Sequence, residues 1–559
     1  GVAVDSGGAV LPGVTVRVAN RTAVTDAHGR FVFTGVPIGE YVFVAELPGF
    51  SERQYRVKVT SEHGAALYAV MNLSSVTESI TVTAAAPSSF HRADAMMTAE
   101  ATAPVPSYSK FKEHDFVEVQ KEHVTTFAID VDRASYAIVR RHLTAGLVPP
   151  PAAVRIEEML NYFTWSYPQP QGGVPFSITS EVAGCPWNEG SRLVRIGIQG
   201  RNLEQWKMAP NNLVFLIDVS GSMSPVHRLP LLQSAFRVLV QDLRAEDRVA
   251  LVVYAGAAGL VLPPTSGADK PAILTALDNL RAGGTTAGGA GIELAYKVAQ
   301  DHFLPDGNNR VILATDGDFN VGVSNLEALQ QLIEEKRQSG VYLSVLGVGE
   351  DNLRDDVMET LADKGNGNYA YLDSLKEAEK VFRRELTGTL VTIAKDVKVQ
   401  VDFDPAVVAS YRQIGYENRA LENKDFEDDT KDAGELGAGH SVTALYEITP
   451  ARSDTRGAIA TVKLRYKEPK GSTSIPLDTK VVDEGRSAYE ASADMQFAAA
   501  IAQFGMLLRG SPHKGRSSWD DVAQLARLSM GADLDGTREE FTRMVESARG
   551  MADPRVAAK

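Results

Sequence analysis

A chain of 559 residues is longer than one hydrophobic core sustains, about 250–300 residues, so it holds several domains. With 44% apolar and 23% charged residues it has the composition of a globular protein. Its net charge of −14 argues against general nucleic-acid binding, which needs basic surface. No apolar stretch reaches the roughly 20 residues of a membrane-spanning helix. The single cysteine, Cys185, cannot form an internal disulfide, and no His or Lys is spaced to activate it, so it is expected to pack in a core. The sequence opens without an initiator Met or a signal peptide, which fits either a trimmed N-terminus or a processed exported protein.

Residues 1–84 read as short strands between turns. Val14-Thr15-Val16-Arg17-Val18, Arg30-Phe31-Val32-Phe33, Tyr41-Val42-Phe43-Val44 and Tyr55-Arg56-Val57-Lys58-Val59 are β-rich, punctuated by Asp26-Ala27-His28-Gly29 and Pro37-Ile38-Gly39-Glu40. The expectation is a small β-sandwich. Gly8-Ala9-Val10-Leu11-Pro12-Gly13-Val14 with Thr25-Asp26-Ala27-His28-Gly29-Arg30-Phe31 resembles the carboxypeptidase regulatory-like, transthyretin-like modules of exported bacterial proteins. That resemblance implies no catalytic residues and an envelope location. Residues 85–115, rich in Ala, Pro, Ser and Thr without periodicity, are predicted to be a mobile linker.

Residues 116–205 mix a strand ending near Asp130, helices over Ala134–Leu143 and Ala153–Tyr162, and strands over Phe176–Val182 and Leu193–Ile198. Asp132 and Ser135 are expected to cap the first helix. From residue 206 to 392, apolar runs such as Leu213–Ile217, Val249–Tyr254, Val311–Thr315 and Tyr342–Val348 alternate with helical stretches, among them Leu229–Leu243, Gly291–His302 and Asp355–Asp363. Strands alternating with helices of this length predict a doubly wound, Rossmann-like α/β domain. Residues 393–559 return to β pattern at Val397–Phe403, Thr443–Ile448 and Thr461–Tyr466, then to amphipathic helices over Ala491–Leu508, Trp519–Leu528 and Arg538–Arg549. Because a doubly wound domain brings its ends together, the β segments on its two sides are expected to form one sandwich with the α/β domain inserted.

Three loops of the α/β stretch carry the chemistry. The strand Leu213–Ile217 ends in Asp218-Val219-Ser220-Gly221-Ser222, and ligands of open α/β sheets bind where strands run out at their carboxyl ends. Gly283-Gly284-Thr285-Thr286-Ala287-Gly288-Gly289-Ala290-Gly291 opens a helix, and Val311–Thr315 ends in Asp316-Gly317. Carboxylates and hydroxyls are hard oxygen donors that suit Mg²⁺, with Mn²⁺ or Ca²⁺ as alternatives, better than zinc or copper. Other chemistries lack their residues: no Gly-Lys-Ser/Thr closes the glycine-rich loop, and Ser220 and Ser222 lie outside G-x-S-x-G. There is no H-E-x-x-H and no paired-cysteine pattern.

This ordered set resembles the metal-ion-dependent adhesion site of von Willebrand factor type A domains, and the resemblance runs from about Asn211 to Thr392. It implies Asp218, Ser220 and Ser222 as the first metal loop, Thr286 as the second and Asp316 as the third. Thr285 is the rival of Thr286, which is preferred for its distance from Gly291-Ile292. In the family the hydroxyls bind metal directly and the aspartates often act through water, leaving a position for a carboxylate from a partner. Val154–Phe163 and Tyr411–Arg419 likewise resemble the N-terminal flank and the C-terminal domain of a bacterial subgroup of these proteins. Together the resemblances imply a non-catalytic, metal-dependent protein-binding protein of the bacterial cell envelope, in the periplasm or on the cell surface. Its partner would be a protein supplying an Asp or Glu carboxylate. The alternative is a structural scaffold in an envelope complex whose metal only stabilises the loops.

Overall fold

The computed structural model describes residues 106–552 except 130–131, 204–207, 256, 284–287, 318–325, 350–352, 386–390 and 432. N-terminal to these it describes residues 2–5, 14–18, 21–26, 29–33, 37, 39–47, 53–59 and 68–71. The chain divides into two compact units, residues 1–101 and 102–559.

In the first unit an antiparallel sheet runs in the order Arg21–Val24, Thr15–Val18, Gly39–Glu46, Arg53–Val59, and Val2–Asp5 pairs in parallel with Tyr68–Met71. Period-two alternation turns Val16, Val18, Phe43 and Ala45 inward, where they meet Ala3, Val14, Phe31 and Ala69. Phe33 adds edge-on contacts to Phe31 and Phe43. This is the β module expected from the turns and alternation.

The second unit is built on two sheets that draw strands from both sides of the α/β insert. One has the order Val117–Glu118, Val408–Ile414, Ser441–Pro450, Arg192–Gly200, Phe176–Gly184. The other runs Ala420–Leu421, Val124–Ala128, Thr392–Phe403, Gly457–Lys467, Ser474–Asp483, with Gly434–Gly437 also pairing to Thr392–Phe403. Their facing sides share one core, in which Phe127, Phe176 and Ile196 from before the insert meet Val399, Tyr416, Tyr446 and Val462 from after it. The inserted sheet is six-stranded, in the order Ala258–Ser266, Arg248–Tyr254, Asn211–Asp218, Asn308–Thr315, Tyr342–Gly347, Tyr369–Tyr371. Only its first strand is antiparallel. Apolar faces on both sides of this sheet are covered by separate helical layers, as a doubly wound sheet requires.

The C-terminal helices Ala493–Arg509, Trp519–Leu528 and Thr537–Ala552 are not an appendage. Phe497, Phe504 and Phe541 interlock with Phe163, Trp165 and Trp187 of the segment preceding the insert, in one core with the helices Ala134–Thr144 and Ile156–Asn161. Cys185 is buried in that core.

Two expectations need correction. Asp132 does not cap the helix Ala134–Thr144: its carboxylate accepts from the Tyr369 N–H (2.8 Å) and pairs with Arg419 (3.1 Å). Ser135 instead donates to the Ala153 carbonyl at 2.7 Å and accepts from the Arg155 N–H at 2.8 Å. A long-range partner outcompetes the local cap because the helix start is buried against other elements. The end of the expected linker is also docked: the Ser107 N–H donates to the Leu353 carbonyl at 2.9 Å, and Arg509 lies over the Phe111 ring at 4.2 Å.

Buried arginines fasten the insert to its surroundings. Arg155, 1% exposed, pairs with Glu158 of its own helix and with the fully buried Asp355 (2.6 Å) of the insert. Arg140 reaches Asp373 (2.6 Å) and Glu377 (2.7 Å) of the insert and Glu540 (2.8 Å) of the last helix. Removing one partner of such a buried cluster strands the other charges, which costs about 3–5 kcal/mol. Arg155→Ala is therefore expected to lower the urea-unfolding free energy by about that amount, whereas Arg237→Ala, which breaks an exposed pair with Asp278, costs less than about 1 kcal/mol. Equal effects of the two substitutions would contradict this ranking.

Glu157, next to Glu158 in the same helix, provides a pH test of the packing outside the insert. It is buried beside Glu417, its Oε2 finds no hydrogen-bond partner among the described residues, and burial followed by the Glu417 charge pushes its carboxyl up to about 7, with Arg509 opposing. Since the folded value lies above the ordinary one, the native state keeps a proton that the unfolded chain has lost, and stability falls as pH rises through that window. Glu157→Gln is expected to stabilise the protein at pH 8 by on the order of 1 kcal/mol or more, with the gain vanishing at pH 4. A pH-independent difference in unfolding free energy would contradict it.

Candidate metal-ion site

The first loop begins at the last residue of a strand buried from Asn212 onward. Asp218 stands opposite Tyr254 on one neighbouring strand, and Ile217 opposite Ala314 on the other, so Thr315 and Asp316 arrive beside Asp218. The chain leaves the strand through Val219 and Ser220 into the short helical turn Gly221–Met223. There the Asp218 Oδ1 accepts from the Ser220 N–H at 2.8 Å, and Oδ2 accepts from the Thr315 hydroxyl at 3.1 Å. Thr315 Oγ1 in turn accepts from the Gly317 N–H at 3.0 Å. One carboxylate thus laces the first and third loops together.

Ser220 and Ser222 bring their hydroxyl oxygens to 3.0 Å from each other. Ser220 is buried, Ser222 half-buried and Gly221 exposed, so the pair stands where a buried carboxylate approaches the surface. In the third loop Asp316 is fully buried, and its Oδ2 accepts from Arg228 Nη1 at 2.7 Å. The same Nη1 reaches the Ser222 carbonyl at 2.8 Å. Gly317 has a φ of +95°, and a β-carbon there would come within 2.8 Å of the Arg354 nitrogen, so the Asp-Gly turn needs its glycine.

Thr286 lies outside the described residues, as does Thr285. The residues that bracket their loop are placed at the first loop: the Gly283 N–H donates to the Val219 carbonyl at 2.7 Å, and a β-carbon on Gly291 would be 2.9 Å from Tyr254 Cβ. The helix Gly288–Asp301 therefore begins against the carboxyl end of the central strands.

Among the described residues the two aspartates differ in their partners: Asp316 pairs with Arg228, and Asp218 is held by neutral donors. Asp218 is fully buried and makes no ion pair among the described residues, and its carboxyl is pushed up to about 6, mainly by burial and further by the Asp316 charge, against the hydrogen bonds from Ser220. Burial and the Asp218 charge likewise hold the Tyr254 phenol well above its ordinary value. The donors fit a hard divalent cation. Two oxygens on adjacent corners of an octahedron with bonds of about 2.1 Å lie about 3 Å apart, as the two serine hydroxyls do. Among the described residues no group of three or more His, Cys, Asp or Glu forms a metal cluster, so a cation here would draw on the serine hydroxyls as well as the carboxylates. Asp218, Ser220, Ser222 and Asp316 are brought together.

Arg228 and Thr315 escaped the sequence reading. Thr315 could have been found, since a hydroxyl one residue before a strand-end Asp faces the neighbouring strand end. Arg228 precedes the helix Leu229–Asp242 like any solvated residue, and only the fold reveals its partner 88 residues away. Cys185 is a buried thiol, and burial, reinforced by the Glu447 charge, drives it well above the ordinary value.

Comparison with known proteins agrees with this architecture. Residues 212–384 match the family described as von Willebrand factor type A domain, residues 103–195 a family described as von Willebrand factor, and residues 1–89 the carboxypeptidase regulatory-like domain. Residues 388–551 match the C-terminal domain of the protein described as uncharacterized protein YfbK. The YfbK protein of Escherichia coli (strain K12) is 42% identical over 493 residues, which cover 84% of this chain and 85% of that one. The inter-alpha-trypsin inhibitor heavy chain H2 of Sus scrofa is 26% identical over 221 residues, covering 37% of this chain and 23% of its own length. A solved structure described as von Willebrand factor type A from Catenulispora acidiphila is 18% identical, with a TM-score of 0.39, and covers 66% of this chain and 90% of that one. On the extent of the first of these similarities, the chain belongs to the von Willebrand factor type A domain family that includes the Escherichia coli protein YfbK.

Proposed function

We infer that this protein is a non-catalytic binding protein of the bacterial cell envelope whose α/β domain holds a divalent cation, Mg²⁺ in the first place, and recognises a carboxylate of a protein partner. The observation that carries the reading is the Asp218 carboxylate, fully buried without an ion pair among the described residues, beneath two serine hydroxyls 3.0 Å apart. Asp218, Ser220, Ser222 and Asp316, with Thr286 from the second loop, would hold the cation, which when bound supplies positive charge for an incoming carboxylate. The protein's own residues do the positioning: Thr315 and the Ser220 N–H orient Asp218, and Arg228 orients Asp316. The non-catalytic reading is supported by the two serine hydroxyls, which pair with each other. The envelope location is supported by the carboxypeptidase regulatory-like module. No helix among the described residues is long and apolar enough to cross a membrane.

The scaffold reading draws on the buried Arg155 and Arg140 clusters that fix the insert in its surroundings. The two readings part at the partner: if the metal only stabilises the loops, Asp218→Ala costs stability but leaves partner capture from the native envelope intact.

Thermal unfolding after chelation, with and without Mg²⁺, tests the site itself. A ligand that binds only the native state adds about 2.7 kcal/mol at a hundredfold excess over its dissociation constant. The native chain is expected to show a Mg²⁺-dependent rise in Tm that Asp218→Ala abolishes and Ser220→Ala reduces. The same rise in Asp218→Ala, or none in the native chain, would contradict the reading.

A further inference from the structure

A cavity of about 910 Å³ lies where the sandwich meets the C-terminal helices. Its floor is the end of one sheet, where the edge strand Phe176–Gly184 pairs with Arg192–Gly200, and its walls include the starts of the helices Ala493–Arg509 and Thr537–Ala552. Glu181 and Arg195 stand opposite each other on the two strands, and their side chains pair at 2.9 Å. The Glu181 carboxylate also accepts from the N–H (2.7 Å) and the hydroxyl (2.5 Å) of Ser492, the cap of the first of these helices. In the second helix Arg538 pairs with Asp494 at 2.6 Å. Both guanidiniums lie on the Trp165 ring, 5.8 and 5.5 Å from its centre, which with their ion pairs fixes how they are presented.

The charged groups of this lining are engaged by one another or by the backbone. Besides the two pairs above, Arg486 reaches Glu484 (2.6 Å) and Glu181 (3.7 Å), Asp533 accepts from the N–H groups of Arg538 and Glu539, and Asp535 accepts from Thr537. What is left over is neutral hydrogen bonding. Arg195 is 8% exposed, and its Nη1 is buried without a hydrogen-bond partner, 3.8 Å from the nearer Asp494 oxygen. The hydroxyls of Thr164, Ser166 and Ser180 line the same cavity and hydrogen-bond no group among the described residues. A ligand hydroxyl both donates and accepts, so a polyol can serve a guanidinium N–H, a carboxylate lone pair and a serine together without bringing a charge that the engaged ion pairs would have to rearrange to meet. An acyl chain would leave those donors buried and unmet. We propose that this cavity binds a neutral saccharide, with Arg195 Nη1 donating to one of its oxygens. The volume falls within the roughly 300–1,000 Å³ of small-ligand sites. The site uses none of the metal-loop residues, and neither reading depends on the other.

The test is titration calorimetry on the full chain, with N,N′,N″-triacetylchitotriose and maltotriose as neutral probes and trigalacturonate as an anionic one. At least one neutral trisaccharide should bind, and more tightly than trigalacturonate. Ala532→Trp, at an exposed position on the cavity wall, should abolish that binding while Tm stays native. Ser166→Ala, which removes one hydroxyl from the exposed rim, should weaken it roughly three- to tenfold, the worth of one hydrogen bond. Arg195→Met strands Glu181 and is expected to lower Tm, so the two rim variants carry the test. Asp218→Ala should bind the saccharide as the native chain does. Binding of neither neutral probe, a preference for trigalacturonate, or binding that both rim variants leave unchanged would overturn the proposal and show the cavity to be a solvated ion-pair cluster. Loss of saccharide binding in Asp218→Ala would overturn it by placing the ligand at the metal loops.

Discussion

Burying a carboxylate without a counter-charge is among the costlier things a fold does, and among the described residues the α/β domain does it at Asp218. Everything around that residue serves to hold it there. The strand Asn211–Asp218 is central in its sheet, so its end cannot retreat toward solvent. The Ser220 N–H and the Thr315 hydroxyl satisfy its lone pairs without neutralising it. The loop that leaves the neighbouring strand Asn308–Thr315 carries Asp316, and Arg228, which follows the first loop, is spent on it. A divalent ion of the kind proposed would supply the positive charge that Asp218 lacks among the described residues.

The rest of the molecule bears on how rigidly that site is presented. The insert grows out of a sandwich whose two sheets both use strands from before and after it, so sandwich and insert are joined at two chain crossings. Buried arginines add lateral ties. Arg155 binds the helix Asp355–Lys364 of the insert to the helix Ile156–Asn161, and Arg140 ties Asp373 and Glu377 to the last helix of the chain. One tie reaches the third loop: Arg354, whose backbone nitrogen crowds Gly317, hydrogen-bonds through Nε to Ser107 at 2.9 Å. A partner engaging the loops at the carboxyl end of this sheet would thus pull on a braced assembly rather than on a tethered bead.

Much of this was legible in the sequence, for reasons that differ by element. The buried parallel strands Asn211–Asp218 and Asn308–Thr315 announce themselves as unbroken apolar runs ending in Asp, and the helices between them by period 3.6. Asp218, Ser220, Ser222 and Asp316 could be named because short motifs occupy strand ends, where the fold brings them together. The strands Ala258–Ser266 and Ser474–Asp483 were missed: each lies at a sheet edge and leaves residues exposed, Leu260 and Val482 among them, which weakens the apolar signal. Arg228, Arg155 and Asp132 were beyond reach, because their partners are distant in sequence and a buried charge looks like a solvated one until its partner is known. The same limit explains the helix-cap expectation at Asp132, where a sound local rule lost to a tertiary bond.

The most direct measurement is anomalous diffraction from crystals grown with saturating Mn²⁺. An anomalous peak bounded by the hydroxyls of Ser220 and Ser222, on the solvent side of Asp218, is the expected result. A Mn²⁺ peak elsewhere with these loops empty, or no peak at all at saturation, would contradict the claim that the three loops form a cation site.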